Sequence, residues 1–263
     1  MFLLVTYQLY FKMSVSLLKN ERKSLILKQI NIHTRVTYSD LSLLTNVSED
    51  TIRRDLNELS SEGRVIKVRG GAMVSAYHPS AELSGVYERS SKQLIANKAL
   101  GLLKNGMFIL IGGGTTVREL IKIIPENLEI TFITTNPFTA MELVDKANVE
   151  TILIGGKVSS YSQMCVGGEV IQKLTEIKPD LCILGTNALD AENGMTDSDW
   201  DSVQVRKAMI KASEKTAILT ISEKLNATMR LKIVSLEDVD YVITEREPTD
   251  PFLSAYADKV KLL

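Results

Sequence analysis

Four polar residues in one short stretch of the chain have side chains that can bind nucleic acid: Thr51, Arg53, Arg54 and Asn57. Arginine donates from a rigid fork of N–H groups to phosphate or guanine, and asparagine can pair with adenine. Ser48 is a favourable N-cap for a helix. The apolar residues Ile52, Leu56 and Leu59 follow it at the spacing of one helical face. The pattern predicts a helix that buries this face and turns the four polar side chains outward, where they could contact DNA.

The flanking residues predict the elements that would hold this helix. Apolar residues at helical spacing predict a first helix over Glu21–Ile30 and a second over Ser39–Thr45, with its cap at Ser39 or Asp40. Arg64–Arg69 alternates apolar and basic residues, which predicts a strand. Three helices and a basic hairpin make a winged helix-turn-helix, although small helical modules without a DNA role also carry surface arginines. The wing residues that would lie along the DNA backbone are Lys67 and Arg69.

The same stretches resemble the signature of the DeoR family of bacterial transcription regulators. Arg22, Ile26 and Ile30 recur every four residues, and the run Ser48-x-x-Thr-Ile-Arg-Arg-Asp-Leu resembles the family's recognition helix. Val68-Arg-Gly-Gly-Ala resembles the end of its wing, with arginine where the family usually has histidine. The resemblance implies a winged helix-turn-helix head that binds a double-stranded DNA operator.

The charge distribution agrees with a basic head on an otherwise acidic chain. Residues 12–72 contain 11 basic and 7 acidic residues, a net charge of +4, although the whole chain has a net charge of -1. One copy of so small a basic patch binds DNA weakly at physiological salt. We therefore expect a homodimer or a homotetramer.

The length and composition of the chain predict two domains. We expect an apolar leader at 1–13, which is either disordered or the product of a misassigned start, then the winged head at 14–74, a linker at 75–82 and a larger domain at 83–263. The leader lacks the features of a signal peptide and is too short to span a membrane. Cys165 and Cys182 have no ligand-like neighbours in the sequence, so we expect reduced core thiols, no metal, no cofactor and a cytoplasmic location.

The larger domain alternates short apolar strands with helices, which predicts an α/β fold with a mostly parallel sheet covered on both faces. The predicted strands are Met107–Ile111, Ile130–Thr134, Thr151–Ile154 and Leu181–Leu184. The predicted helices are Leu94–Leu103, Val117–Ile124 and Thr139–Lys146. Ligands bind at the carboxyl ends of the strands in such sheets.

A glycine-rich turn is the best ligand candidate, because the backbone approaches a ligand closely there and a helix follows with its unpaired N–H groups. Its residues are Gly112, Gly113, Gly114, Thr115 and Thr116. Such a turn suits a phosphate, although close packing alone would also explain the glycines.

The order of the motifs resembles the DeoR effector domain, whose fold is similar to ribose-5-phosphate isomerase and glucosamine-6-phosphate deaminase. This resemblance implies that Gly114, Thr115 and Thr116 hold a phosphate and that Lys224 supplies the countercharge; the alternative is an ordinary exposed lysine. Gly155 and Gly156 also stand where the family has ligand-domain glycines. The family often has Asp where this chain has Gly112 and Ile221. The residues left to bind sugar hydroxyls are Asn187, Asp197 and Asp199.

An enzyme is the alternative function, a sugar-phosphate isomerase or deaminase joined to a DNA-binding head. Isomerisation needs a positioned base, which the cluster Asp197-Ser-Asp-Trp-Asp could supply. A solvated helix start explains three closely spaced acids more simply. We therefore expect a regulator without catalytic activity, a repressor of carbohydrate metabolism genes that responds to a phosphorylated sugar or polyol.

Overall fold

The computed structural model of the chain describes residues 17–33, 35–68, 70–74 and 88–263. The chain divides into two compact units, Met1–Tyr87 and Glu88–Leu263. The expected leader, the expected linker and Arg69 lie outside the described residues.

The first unit is a winged helix-turn-helix, as predicted. Its helices are α1 (Lys19–His33), α2 (Tyr38–Thr45) and α3 (Glu49–Ser61). Its strands are β1 (Arg35–Thr37), β2 (Val65–Val68) and β3 (Gly71–Val74), which form an antiparallel sheet in the order β1-β3-β2. Ile26, Ile30, Leu41, Ile52 and Leu56 are buried in one core that joins the three helices. Burial of this apolar surface stabilises the unit.

The boundaries of two elements differ from the prediction. Helix α2 is capped by Thr37 rather than by Ser39 or Asp40, because the Thr37 side chain accepts a hydrogen bond from the Asp40 backbone N–H, three residues ahead. Strand β2 begins at Val65 rather than at Arg64. The cap of α3 is Ser48, as predicted, and its Oγ accepts from the Thr51 N–H at 3.3 Å.

The second unit is built on a seven-stranded, wholly parallel sheet in the order β15-β14-β12-β9-β4-β5-β6. These strands are β4 (Phe108–Ile111), β5 (Ile130–Thr134), β6 (Val149–Leu153), β9 (Leu181–Gly185), β12 (Thr216–Leu219), β14 (Tyr241–Ile243) and β15 (Lys261–Leu262). Consecutive residues of β9 and β12 are buried, and successive side chains of a strand point to opposite faces. The sheet is therefore covered on both faces, which confirms the predicted α/β class.

Six α-helices accompany this sheet in the described part of the unit: α4 (Arg89–Leu100), α5 (Thr115–Lys122), α6 (Pro137–Val144), α7 (Gly168–Thr175), α8 (Trp200–Ala212) and α9 (Ser254–Ala257). The smaller sheets are a β7 (Lys157–Val158) and β8 (Cys165–Val166) hairpin and an antiparallel sheet of β10 (Ala188–Asp190), β11 (Gly194–Asp197) and β13 (Leu231–Val234).

Three helix starts were predicted too late in the chain, and one of them is that of α6, which begins at Pro137 rather than Thr139. Helix α4 begins at Arg89 rather than Leu94, so Lys92 is a helical residue, and α5 begins at Thr115 directly after the glycine turn. Because all strands of the main sheet are parallel, the segments that follow β4, β5, β9 and β12 all lie at the carboxyl ends of the strands, which we call the carboxyl edge of the sheet. This edge holds the candidate ligand residues.

Candidate DNA-binding face and ligand site

Helix α3 exposes the arginines and the asparagine that the periodicity turns outward. Arg53, Arg54 and Asn57 are exposed, while Ile52, Leu56 and Leu59 are fully buried. Thr51 is only half-buried, and its hydroxyl shares a hydrogen bond of 3.0 Å with the Ser48 hydroxyl. Arg53, Arg54 and Asn57 thus stand clear of the core, whereas Thr51 is engaged at the helix cap.

A buried ion pair fixes helix α3 to helix α1. The Arg22 guanidinium donates from Nε to one Asp55 carboxylate oxygen at 2.6 Å and from a terminal nitrogen to the other at 3.2 Å. The Asp55 side chain is 2% exposed and that of Arg22 is 11% exposed. Removing either partner leaves an uncompensated charge out of water. The resemblance includes both residues, but the sequence alone did not reveal that they pair.

The wing contacts the same helix through Lys67. Lys67 Nζ donates to Asn57 Oδ1 at 2.5 Å. Pairing with adenine uses both the oxygen and the nitrogen of an asparagine amide. Asn57 can pair with adenine in the predicted way only if Lys67 releases the amide oxygen, which the sequence did not indicate.

The glycine turn after β4 leads directly into helix α5. Gly114 has φ of +121°, a conformation that side chains rarely adopt, and no atom lies within 4 Å of the position its Cβ would take. No side chain caps the helix at Gly114. A Cβ on Gly112, in contrast, would lie 2.9 Å from Leu184 Cδ2. Gly112 is therefore explained by packing, whereas no neighbouring atom explains Gly114, and the helix start that follows it is of the kind that binds anions.

Lys224 lies at the same edge of the sheet, in the short 3-10 turn Ser222–Lys224 that follows β12. Its Nζ donates to the Thr186 carbonyl oxygen at 2.8 Å. Burial, the largest cause, and the positive charges of Lys92 and Arg206 together lower the pKa of Lys224 to about 7 against the opposing effect of Asp197. The interpretation of Lys224 as an ordinary exposed lysine is therefore wrong.

Lys92 is a second buried cation that the sequence analysis missed. Its side chain lies on α4, the residue is 5% exposed, and burial lowers its pKa to about 8 against the opposing charges of Glu88, Glu119 and Glu223. No spacing in the sequence connects Lys92 with Lys224, because the elements that carry them are far apart in the sequence. The fold brings the two ammonium groups close enough to repel each other.

Asp197 and Asn187 form a buried polar cluster with Arg206. The Asp197 Oδ2 accepts from Asn187 Nδ2 at 3.1 Å and from Arg206 at 3.0 Å, and its Oδ1 accepts from the Ser198 N–H at 2.6 Å. Asp197 is 1% exposed, so the expectation of a solvated helix start is wrong for this residue. The expectation of a helix start fits Asp199, which is the N-cap of α8 and whose carboxylate accepts a hydrogen bond from the Ser202 N–H at 2.9 Å.

Gly155 and Gly156 follow a strand that lies two positions away from β4 in the sheet. They follow β6, the edge strand, and β5 separates that strand from β4. A Cβ on Gly156 would lie 2.8 Å from Val170 Cγ2. Close packing against α7 accounts for this glycine without a ligand.

The described residues contain neither a metal-ligand group nor a membrane-spanning helix. No group of three or more His, Cys, Asp or Glu side chains in the described part of the chain could hold a metal ion. No described helix is both long enough and apolar enough to cross a membrane. Cys165 and Cys182 are buried free thiols, as predicted.

Comparison with known proteins identifies relatives over nearly the whole chain. The family model of the DeoR C terminal sensor domain matches residues 88–246, and that of the DeoR-like helix-turn-helix domain matches residues 22–76. The HTH-type transcriptional repressor GlcR of Bacillus subtilis is 30% identical over 239 residues, which are 89% of this chain and 91% of GlcR. The L-fucose operon activator of Haemophilus influenzae is 25% identical over 237 residues, 88% of this chain and 94% of the activator.

Among solved structures, ribose 5-phosphate isomerase A from Neisseria gonorrhoeae is similar at a TM-score of 0.39 and 16% identity. The match covers 52% of this chain and 53% of the isomerase.

Proposed function

This chain belongs to the DeoR family and is a DNA-binding regulator of transcription; on that premise we propose that it represses carbohydrate metabolism genes until a phosphorylated sugar or polyol binds its sensor domain. Helix α3 would read the operator through Arg53, Arg54 and Asn57, and the wing would contact the backbone through Lys67 and Arg69. The names of the relatives support a role in sugar metabolism, since one of them regulates an L-fucose operon.

The observation that carries the ligand proposal is a pair of lysines at the carboxyl edge of the sheet, of which Lys92 is buried and Lys224 is half-buried. Burial lowers the pKa of Lys92 to about 8 against the opposing charges of three glutamates. Burial, together with the positive charges of Lys92 and Arg206, lowers the pKa of Lys224 to about 7, so both charged forms are disfavoured there. A phosphate dianion would compensate both. The start of α5 adds backbone N–H groups, and Thr115 and Thr116 add hydroxyl donors.

The polar cluster beside the lysines would hold the rest of the ligand. Asp197 is neutralised by Arg206 and braced by Asn187, so its carboxylate would accept hydrogen bonds from hydroxyl groups without adding a net charge. Asp199 lies two residues further along the chain. A polyol chain with a phosphate at one end matches a site that is cationic at one side and neutral and polar at the other.

Operator release requires that the ligand bind more tightly to the conformation that holds DNA less well. We propose a homodimer or homotetramer that works in the cytoplasm, because paired heads on repeated half-sites raise the affinity of one small basic module. We infer no catalysis, because both oxygens of Asp197, the carboxylate considered as a base, already accept hydrogen bonds from within the chain. Sustained turnover of a sugar phosphate that Asp197→Asn abolishes would support the enzyme alternative instead.

The proposal is tested by the melting temperature of the full chain with sugar phosphates, with their unphosphorylated parents and with inorganic phosphate. We expect the phosphorylated sugar to raise the melting temperature where its parent does not, because a ligand stabilises the state that binds it. Lys224→Met and Gly114→Val should both remove this shift. The control Lys178→Met, at an exposed lysine paired with Glu214, should keep it.

Equal stabilisation by a sugar and its phosphate would contradict the phosphate requirement. An undiminished shift in both Lys224→Met and Gly114→Val would place the ligand elsewhere in the sensor domain.

A further inference from the structure

Tyr38, the first residue of α2, lies beneath one of the two exposed arginines of the recognition helix. The Arg53 Cζ atom lies over the Tyr38 ring, 4.7 Å from its centroid. This distance is within the range of a cation–π contact, about 6 Å. Arg54 makes no ion pair or ring contact with any residue that the structure describes. The two neighbouring arginines therefore differ in how firmly they are held.

The Tyr38 ring is itself anchored. Tyr38 packs against the core of the winged unit, and its backbone N–H donates to the Gly70 carbonyl oxygen in the wing turn at 3.0 Å. Thr37, the residue before it, caps α2. The ring is thus held from the core, the wing and the start of α2, and it provides a fixed surface for the long side chain above it.

The contact leaves the guanidinium able to bind DNA. Stacking on a ring uses the flat face of the guanidinium, whereas its N–H donors point outward in the plane of the group. A free arginine loses rotamer entropy when one orientation is imposed on it, and prior restriction of the side chain reduces that loss on binding. Arg53 lies in the first half of α3, the part of a recognition helix that contacts base edges.

We propose that Tyr38 is a positioning residue for operator recognition, which holds the Arg53 side chain in the orientation that meets a base edge. Tyr38 itself does not contact the bases. This inference goes beyond the proposed ligand and concerns only the winged unit. It assigns to α2 a part in sequence reading that neither the periodicity nor the motif of α3 indicates.

The test uses the full chain and the duplex that the wild-type protein selects from a randomised DNA pool. Tyr38→Leu removes the ring and should weaken binding to that duplex by about two- to fivefold, the range of an exposed cation–π contact. Tyr38→Phe keeps the ring and should bind like wild type. Binding to unrelated duplexes and its salt dependence should stay unchanged in both variants, because the number of phosphate contacts is unchanged.

A double-mutant cycle separates positioning from a general effect on the fold. In an Arg53→Ala background, Tyr38→Leu should cause no further loss, whereas in an Arg54→Ala background it should keep its full effect. The melting temperature of each variant controls for stability. An equal loss from Tyr38→Leu in both backgrounds would overturn the proposal, as would a Tyr38→Phe variant that binds as weakly as Tyr38→Leu.

Discussion

The two units of this protein place their binding chemistry in opposite physical settings. In the winged unit the groups that would bind DNA are exposed and lie within one helix, with Arg53, Arg54 and Asn57 on the face opposite the core. In the sensor unit the candidate cation Lys92 is buried and Lys224 is half-buried, and the two come from elements far apart in the chain. A surface that binds a large polyanion such as DNA can use many exposed charges. A small ligand has to be enclosed by a few charged groups, and burying these groups costs free energy while the site holds no ligand.

The largest effect we expect comes from removing the exposed arginines together. Arg53→Ala with Arg54→Ala should weaken operator binding by about two orders of magnitude or more, since each good bidentate base contact contributes about 1–3 kcal/mol. The melting temperature and the ligand response should not change, because exposed side chains contribute little to stability. Gel-shift titration at fixed salt measures the first effect and calorimetry the second.

The control is Arg64→Ala, another exposed arginine of the same unit, paired with Glu62. It should weaken operator binding far less than the double variant does. Wild-type affinity in the double variant would show that α3 does not read the operator.

The buried Arg22–Asp55 pair tests whether the winged unit also depends on enclosed charge. Asp55→Ala should destabilise this unit by about 3 kcal/mol, the lower end for breaking a buried pair, because 11% of the Arg22 side chain remains exposed. Chemical denaturation measures this loss. The Glu58 carboxylate, which is 43% exposed and pairs with Lys19 and Lys23, provides the control, and Glu58→Ala should change stability little. Equal stabilities of the two variants would contradict the distinction between buried and exposed charge.

Effector binding should depend on pH, because the Lys224 pKa of about 7 makes this lysine largely neutral in the free protein above that pH. A bound phosphate raises the lysine pKa, so binding takes up a proton and affinity falls as pH rises from 7 to 9, by at most about tenfold per unit. Below about pH 6 the phosphate dianion itself is lost, so affinity should be highest near neutrality.

Calorimetric titration in two buffers with different ionisation enthalpies measures this proton uptake directly. Lys224→Arg keeps its charge at every pH tested, so its affinity should fall less steeply, with Lys92 as the remaining titrating lysine. An affinity that is constant between pH 6.5 and 8.5 would contradict a role for Lys224 as a cation that gains its proton when the phosphate binds.

The smallest effect is expected at the wing. Lys67→Ala should weaken binding to all DNA sequences alike, by a few-fold, and lower the salt slope by about one, which is the signature of one lost phosphate contact. Asn57→Ala should instead relax specificity at one base pair. Filter-binding titrations over a range of salt distinguish the two. A sequence-dependent loss in Lys67→Ala would show that the contact of Lys67 with the Asn57 amide matters more than its contact with the backbone.

Local features of both units could be predicted from the sequence, because helix caps, periodic apolar faces and glycine turns depend on near neighbours. Helix α3 begins after Ser48 as predicted, β5 has the predicted bounds, and the Gly112–Thr116 turn does lead into a helix. The three remaining strands of the main sheet, β12, β14 and β15, are four, three and two residues long. Such short strands carry too little periodicity to be recognised.

The pairings between distant residues could not be predicted. Arg22 meets Asp55, and Lys92 approaches Lys224, only because of how helices pack and in which order the strands join the sheet. The charge pattern of the Asp197–Asp201 run indicated a solvated segment, yet Asp197 is enclosed because Arg206 on α8 neutralises it. The spacing of residues in the sequence therefore predicted the exposed face of helix α3, but it did not predict which buried polar residues of the second unit meet.

The most direct test of the account is operator affinity measured against increasing sugar phosphate, for wild type and for Lys224→Met. The account predicts that the ligand lowers operator affinity in wild type. Without ligand, Lys224→Met should bind the operator as tightly as wild type, and added ligand should leave its affinity unchanged, because ligand binding and DNA reading reside in different units. Release of Lys224→Met from the operator at the same ligand concentration as wild type would contradict the account.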